Sequence, residues 1–292
     1  MYSICVPVYN EEESIINITN DIIGSDLWKQ SNEKELILCL NGCTDKSEEI
    51  ANSLAESNPF IKTIIIKEKS KHLALNRFLE EHNQKSDILF FIDADIIFDG
   101  NILKKLKDCL EKNKEITIAG ATSRYYPEKL RPWDLFKKRI LKGSHPKQTF
   151  IHGRCYAVKS QYSKELILPD SNVLYEDIYL TIKFRGRFII LDDAIVYAKV
   201  PGFIDAIEQT IRDKIAYTAL RQEISRTNPE LVQELDKNRK EKDKRNFWWT
   251  KSKIIKFFLH VYTDYQYKKI LKNKKFEWKK LKSTKWKRRR YE

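Results

Sequence analysis

The chain has 292 residues, 41% of them hydrophobic, which is enough for the core of one large α/β domain plus extensions. It contains no run of 18 or more apolar residues, and its first residues, Met-Tyr-Ser-Ile-Cys-Val-Pro, lack the basic region and cleavage site of a signal peptide. An ordinary transmembrane helix is thereby excluded, and a cytoplasmic protein is expected. The net charge of +14 sits at one end of the chain: residues 236–292 hold 22 basic against 6 acidic residues, and residues 1–235 hold 33 against 35. This shift divides the chain into a near-neutral body, 1–235, and a basic, aromatic-rich helical extension, 236–292. Five cysteines, an odd number without metal-site spacing, read as reduced thiols of the core.

In chain order, strand and helix patterns alternate through the body. Residues 2–8 read as a strand; Asn10 is placed to cap the next helix, with Glu13 completing a capping box ahead of Ile15, Ile16 and Ile22. A second strand is expected over 35–40, a helix over 45–55, a strand over 61–66 and a helix over 71–81. The stretch 87–99 then runs through five apolar residues into two carboxylates one residue apart, Asp93 and Asp95. Five apolar residues in succession describe a strand covered on both faces, and unpaired carboxylates cannot stay inside one. The chain therefore has to surface at Asp93, at the carboxyl end of the strand, where open α/β sheets bind ligands. Two oxygen donors there suit a hard divalent cation also held by phosphates; alternatively, they cap a helix or shape a turn. Further strands are expected over 116–122, 153–158, 188–191 and 194–200, and helices over 131–141, from Leu174 to Arg185, and over 203–226. Such alternation implies right-handed crossovers and a mostly parallel sheet, with residues 7–10, 41–45 and 93–95 on one rim.

Taken together, Val6-Pro7-Val8-Tyr9-Asn10-Glu11, Asn41-Gly42-Cys43-Thr44-Asp45, Ala74-Leu75-Asn76, Asp93-Ala94-Asp95 and Glu176-Asp177 resemble a family 2 glycosyltransferase of the GT-A fold, over about residues 1–226. The resemblance implies transfer of a sugar from a nucleoside diphosphate donor with inversion at the anomeric carbon. It places Pro7, Tyr9, Glu11, Asn41, Lys71, Asn76, Asp93, Ala94 and Arg212 on the nucleotide and donor side. Asp95, with Asp93, would hold Mg²⁺ or Mn²⁺; Asp177 would be the base, with Glu176 supporting or substituting for it. His152 and Arg154 are assigned to the acceptor or diphosphate side.

The chemistry of these positions leaves some choices open. Asn41 is either a turn residue or a reader of the base; its amide both accepts and donates, which suits uracil or guanine, so a UDP-sugar is favoured and a GDP-sugar possible. Lys71 lacks the glycine neighbours usual in relatives and stands in Ser70-Lys71-His72. Gln209-Thr210-Ile211-Arg212-Asp213 is similar to the Gln-x-x-Arg-Trp segment of polymer-making relatives, but with Asp213 in place of Trp, which argues for transfer of one sugar per encounter. In the extension, Ile254, Phe258, Val261 and Tyr265 fall at helical spacing opposite Lys253, Lys256 and His260. Such a helix either packs on the body or lies on an anionic membrane surface, on the inner face of the cytoplasmic membrane, beside a lipid-linked glycan acceptor. The basic cluster 285–290 reads as a solvated tail rather than a nucleic-acid site. A competing reading is a non-catalytic scaffold of the same fold whose basic tail binds membrane or nucleic acid.

Overall fold

A computed structural model describes residues 1–82, 86–98, 100–126, 148–169, 176–227, 229–233, 235–236, 261–262, 264–265 and 268–269. The helix expected over 131–141, the cluster 285–290 and nearly all of the tail helix lie outside the described residues.

In order, the described elements are β1 (Tyr2–Val8), α1 (Ile15–Ile23), α2 (Asp26–Gln30), β2 (Lys34–Asn41), α3 (Ser47–Ser57), β3 (Ile61–Ile66), α4 (Lys71–His82), β4 (Ile88–Ile92), β5 (Ile96–Phe98) and α5 (Ile102–Lys112). After these come β6 (Ile118–Tyr125), β7 (Cys155–Lys159), a short α6 (Ser163–Leu166), α7 (Glu176–Lys183), β8 (Phe188–Ala198) and α8 (Phe203–Thr227). The strands form one eight-stranded sheet ordered β3-β2-β1-β4-β7-β6-β8-β5. The pairs β2/β3, β1/β2, β1/β4 and β6/β8 are parallel; β4/β7, β6/β7 and β5/β8 are antiparallel. The sheet is thus mostly parallel and flanked by helices, the Rossmann-like α/β arrangement expected.

Alternation along the strands explains their uninterrupted apolar sequences. Tyr2, Ile4, Val6 and Val8 of β1, Leu36, Leu38 and Leu40 of β2, and Phe90 and Ile92 of β4 pack with α1, α2 and α5. The intervening Cys5, Ile37, Cys39, Leu89 and Phe91 pack on the other face with α4, α7 and α8. Each strand has a core on both sides, as a central parallel strand requires. The cysteines are all unbridged; Cys5, Cys39 and Cys155 are buried, Cys43 and Cys109 only partly so.

Three expectations need correction. Asn10 does not cap α1: it adopts a left-handed backbone, φ 55°, and its side chain turns away to Thr44, while the helix starts after Ser14. The stretch 87–99 holds two strands: β4 ends before Asp93, as expected, but the chain then crosses to the far edge of the sheet as a separate strand, β5, paired with β8. The two strands expected over 188–200 are one, β8, whose register against β6 shifts between Ala121 and Thr122. The amphipathic helix α5 was not among the expected elements. It buries Ile102, Leu103, Leu106 and Leu110 at helical spacing.

Leu235 is fully buried in the second core, and Asp236 accepts hydrogen bonds from Tyr217 and, at 3.1 Å, Arg221 of α8. No described helix is long and apolar enough to cross a membrane.

Candidate active site

The parallel strands β1, β2 and β4 end on one rim, and their last residues form a continuous wall. At the end of β2, Asn41 is buried and donates its amide to the Val8 carbonyl at 3.0 Å, tying the two strand ends together. Asn10 accepts from the Thr44 backbone N–H at 2.7 Å, and Glu12 accepts from that of Lys46 at 3.0 Å. The Glu11 N–H donates to Ser47 Oγ at 2.7 Å, and its carboxylate accepts from Ser14. The loop after β1 is therefore locked to the first turn of α3 by side chains, a means by which polar groups on a rim are both satisfied and fixed. On this wall the Tyr9 ring is faced by the Lys69 ammonium, 5.8 Å from its centroid. Pro7 lies within β1, opposite Cys39.

At the end of β4 the polypeptide emerges as the sequence requires. Asp93 and Asp95 are partly exposed, whereas Ile92, Ala94 and Ile96 around them are buried. The Asp93 N–H donates to the Arg154 carbonyl at 2.8 Å, extending the β4–β7 pairing and bringing 152–154 against the carboxylates. Arg154 itself donates to Ser123 and lies over the Tyr125 ring, 6.0 Å from its centroid. The His152 ring lies 5.8 Å from that of Phe150.

Lys71, at the start of α4, joins this group from below. Its ammonium donates to Asp93 Oδ1 at 2.7 Å and pairs with the Glu176 carboxylate at the start of α7. Burial opposes the charge on Lys71, but the two carboxylates outweigh it and hold its pKa well above the usual lysine value. Glu176 is the reverse case: burial raises its pKa, Lys71 counteracts this, and Asp93 adds to it. His72 Nε2 is 4.0 Å from its other oxygen. Next to it, Asp177 is partly exposed, and its carboxylate accepts from the Ile178 N–H at 2.8 Å.

The structure thus brings together Lys71, Asp93, Arg154 and Glu176, with Asp95 and Asp177 as their chain neighbours. It treats others differently. Asn76 forms a reciprocal pair with the backbone of Leu168, 2.9 Å in each direction, and so holds the segment leading towards α7. Arg212 lies midway along α8 and is partly buried. One participant was not expected from sequence: Lys69, facing Tyr9, which has no sequence signal because it acts through a neighbour remote in the chain. Gly153, within the expected His152-Gly153-Arg154 segment, is where a Cβ would meet Glu176 Oε1 at 2.7 Å.

Among the described residues no three His, Cys, Asp or Glu side chains gather as a metal cage. One or two carboxylates beside a cleft are instead what Mg²⁺ or Mn²⁺ needs when phosphates and water complete its shell, so Asp95 and Asp93 fit such an ion.

Comparison with known proteins gives a consistent result. No curated protein sequence matches the chain. Among solved structures, the fold is similar to mannosyltransferase PcManGT from Pyrobaculum calidifontis, in complex with GDP-Man and Mn²⁺ (TM-score 0.58, 18% identity, covering 80% of this chain and 68% of that one). It is also similar to residues 1–349 of S. aureus TarS (TM-score 0.53, 19% identity, 78% and 73% covered). A third is glucosyl-3-phosphoglycerate synthase from Mycobacterium tuberculosis (TM-score 0.53, 18% identity, 77% and 79% covered). The sequence profile of Glycosyl transferase family 2 matches residues 3–167, more than half of the chain and the whole rim from β1 to Arg154. The chain therefore belongs to glycosyl transferase family 2, glycosyltransferases that act on nucleotide sugars.

Proposed function

We propose that the protein is a metal-dependent, inverting glycosyltransferase that moves one sugar per encounter from a nucleoside diphosphate sugar to a hydroxyl of a lipid-linked or cell-envelope glycan. The observation that carries this reading is the division of labour at the start of α7. Glu176 is held against Lys71 inside the protein, whereas the adjacent, partly exposed Asp177 is placed where an acceptor hydroxyl can reach it.

In this reading Tyr9, Glu11 and Asn41 form the wall against which the base lies, with Pro7 setting the end of β1. A UDP-sugar is favoured and a GDP-sugar possible, since the Asn41 amide serves either base edge. Asp95, aided by Asp93, would hold Mg²⁺ or Mn²⁺, which when bound supplies Lewis-acid stabilisation of the departing diphosphate. Asp93 and Ala94 line the ribose and sugar side, and Arg212 supports the diphosphate. Asp177 takes the proton of the acceptor hydroxyl as that oxygen attacks the anomeric carbon from the face opposite the diphosphate; the new glycosidic bond forms as the old C–O bond breaks. Inversion follows from a single displacement. His152 and Arg154 flank the acceptor. Asp213, where polymer-making relatives carry Trp, supports single transfer, and the basic extension would bring the body to the inner face of the cytoplasmic membrane.

The test is a thermal-shift panel of UDP-, GDP-, dTDP- and CMP-sugars with and without Mn²⁺. A donor at 100 times its Kd stabilises the protein by about 2.7 kcal/mol. Asp95→Ala should lose the Mn²⁺-dependent part of the shift. Asp177→Asn should keep the shift yet lose transfer by roughly 10²–10⁴-fold, the scale of general-base catalysis. Full transfer by either variant removes its assigned role; no shift with any donor favours the non-catalytic scaffold.

A further inference from the structure

We infer that Lys71 is a positioning residue: through Glu176 it fixes the first turn of α7, and hence Asp177, against the donor side of the cleft at Asp93, and Gly153 keeps open the space this requires. The inference rests on the proposed transferase reading and departs from a direct role for Lys71 on the diphosphate.

An ammonium has three donors. Here they face three acceptors: Asp93 Oδ1 at 2.7 Å, the paired Glu176 carboxylate, and the Gly153 carbonyl at 3.4 Å. While the cluster holds, no donor of Lys71 remains to meet a phosphate. Each acceptor belongs to a different part of the cleft: Asp93 ends β4, Glu176 starts α7, and Gly153 precedes β7. The Glu176 side chain is only 10% exposed, so its position is set by the protein and not by water. Its Oε1 lies over Gly153, where a Cβ would come within 2.7 Å of that oxygen and 3.5 Å of Lys71 Nζ. A Cβ there has to displace the Glu176 carboxylate from its place beside Lys71. Asp177 is the next residue along, so a shift of Glu176 is passed to it through one peptide unit. Without Lys71, two carboxylates would face each other across a poorly solvated gap, and the first turn of α7 would move to separate them.

The experiment compares Lys71→Met, Glu176→Gln, the double variant and Gly153→Ala in the full chain. It reads kcat and donor KM for the nucleotide sugar that stabilises the parent, the Kd of UDP or GDP with Mn²⁺, and the melting temperature without ligand. Lys71→Met should lower kcat roughly 100-fold, the scale of a 1 Å misplacement, while changing nucleotide Kd by less than about threefold. Gly153→Ala should lower kcat at least about tenfold in the same pattern, although Lys71 is intact. Adding Glu176→Gln to Lys71→Met should regain about tenfold in kcat and part of the lost melting temperature, because the unpaired charge is gone. The inference is overturned if Lys71→Met weakens nucleotide binding with kcat retained, or if the double variant is no better than Lys71→Met. Should Lys71→Met not fold, Gly153→Ala decides by the same split between kcat and Kd. If the parent itself transfers no sugar, the functional reading fails, while recovery of the melting temperature in the double variant still supports the cluster.

Discussion

Gly42 ends β2 with φ +63°, and its N–H donates to the Ile66 carbonyl at 2.8 Å. An added Cβ would stand 2.6 Å from Lys69 Cγ and 3.0 Å from the Lys69 backbone nitrogen. The side chain can bend away; the backbone cannot. Gly42→Ala is therefore expected to cost about 1–3 kcal/mol from the left-handed conformation and the close approach together. Urea unfolding should show a lower midpoint at unchanged slope, and nucleotide affinity should fall, because Lys69 is the residue that faces Tyr9. Unchanged stability and affinity would remove Gly42 from the construction of the wall. The Asn41-Gly42 turn was legible in the sequence, since such pairs favour positive φ. The Lys69 contact was not, because nothing local marks a partner 27 residues away. Asn10 illustrates the opposite error: a good capping residue by type, it adopts a left-handed turn and bonds Thr44, in the loop after β2.

Among the elements, the amino ends of β1, β2 and β3 and the end of α4 converge on a polar group far from the cleft. Glu35 of β2 accepts from Ser3 at 2.5 Å and from Lys62 at 2.8 Å, and it contacts His82 Nδ1 at 2.7 Å; Ser3 also contacts Ser86 at 2.6 Å. Burial alone would raise the pKa of Glu35, but hydrogen bonds from His82, Lys62 and Ser3 overcome this and hold it at about 2, against 4.5 unperturbed. A folded-state pKa below the unfolded value stabilises the protein above pH 4.5, and that contribution is lost as pH falls through about 2. The shift corresponds to about 3 kcal/mol, so Glu35→Gln should be less stable at pH 7 by this order and should show a flatter decline on acidification. Denaturant unfolding at pH 7 and pH 3 measures both; parallel pH profiles for parent and variant would show that Glu35 does not drive the acid limb. Strands β1 and β3 were read from sequence to the residue, β1 as a fully buried and mainly apolar run, β3 as an isoleucine-rich edge strand that is half-open to solvent. The end of β4 at Asp93 was legible, but the start of a separate strand after it was not. Ile96–Phe98 has the composition of more strand, and only its partner β8, about 100 residues on, decides that it belongs to the other edge.

At the scale of the molecule, charge is the dominant asymmetry: the body carries 33 basic and 35 acidic residues, and the last 57 carry 22 and 6. Lys214 of α8 pairs with Asp264, so at least this part of the extension meets the body, while Val261, Tyr262 and Tyr265 beside it are 48%, 49% and 61% exposed. Among the described residues of the extension Lys268 and Lys269 are exposed as well, and the docking on an anionic surface proposed above, to which each basic residue would contribute about 1 kcal/mol, makes a prediction. The cut that tests this has to respect the core. Leu235 is fully buried and Asp236 is bound to Tyr217 and Arg221, so truncation belongs after Asp236 and not before it. The truncated protein should retain its cooperative unfolding and its response to nucleotide with Mn²⁺. It should no longer sediment with phosphatidylglycerol vesicles that capture the full chain, and neither protein should bind phosphatidylcholine vesicles. Raising ionic strength from about 0.1 M to 1 M, which shortens the screening length from about 10 to 3 Å, should release the full chain if charge dominates. Retention of the truncated body on anionic vesicles would move the membrane contact to the near-neutral domain, and absence of binding by either protein would leave the extension packed on α8.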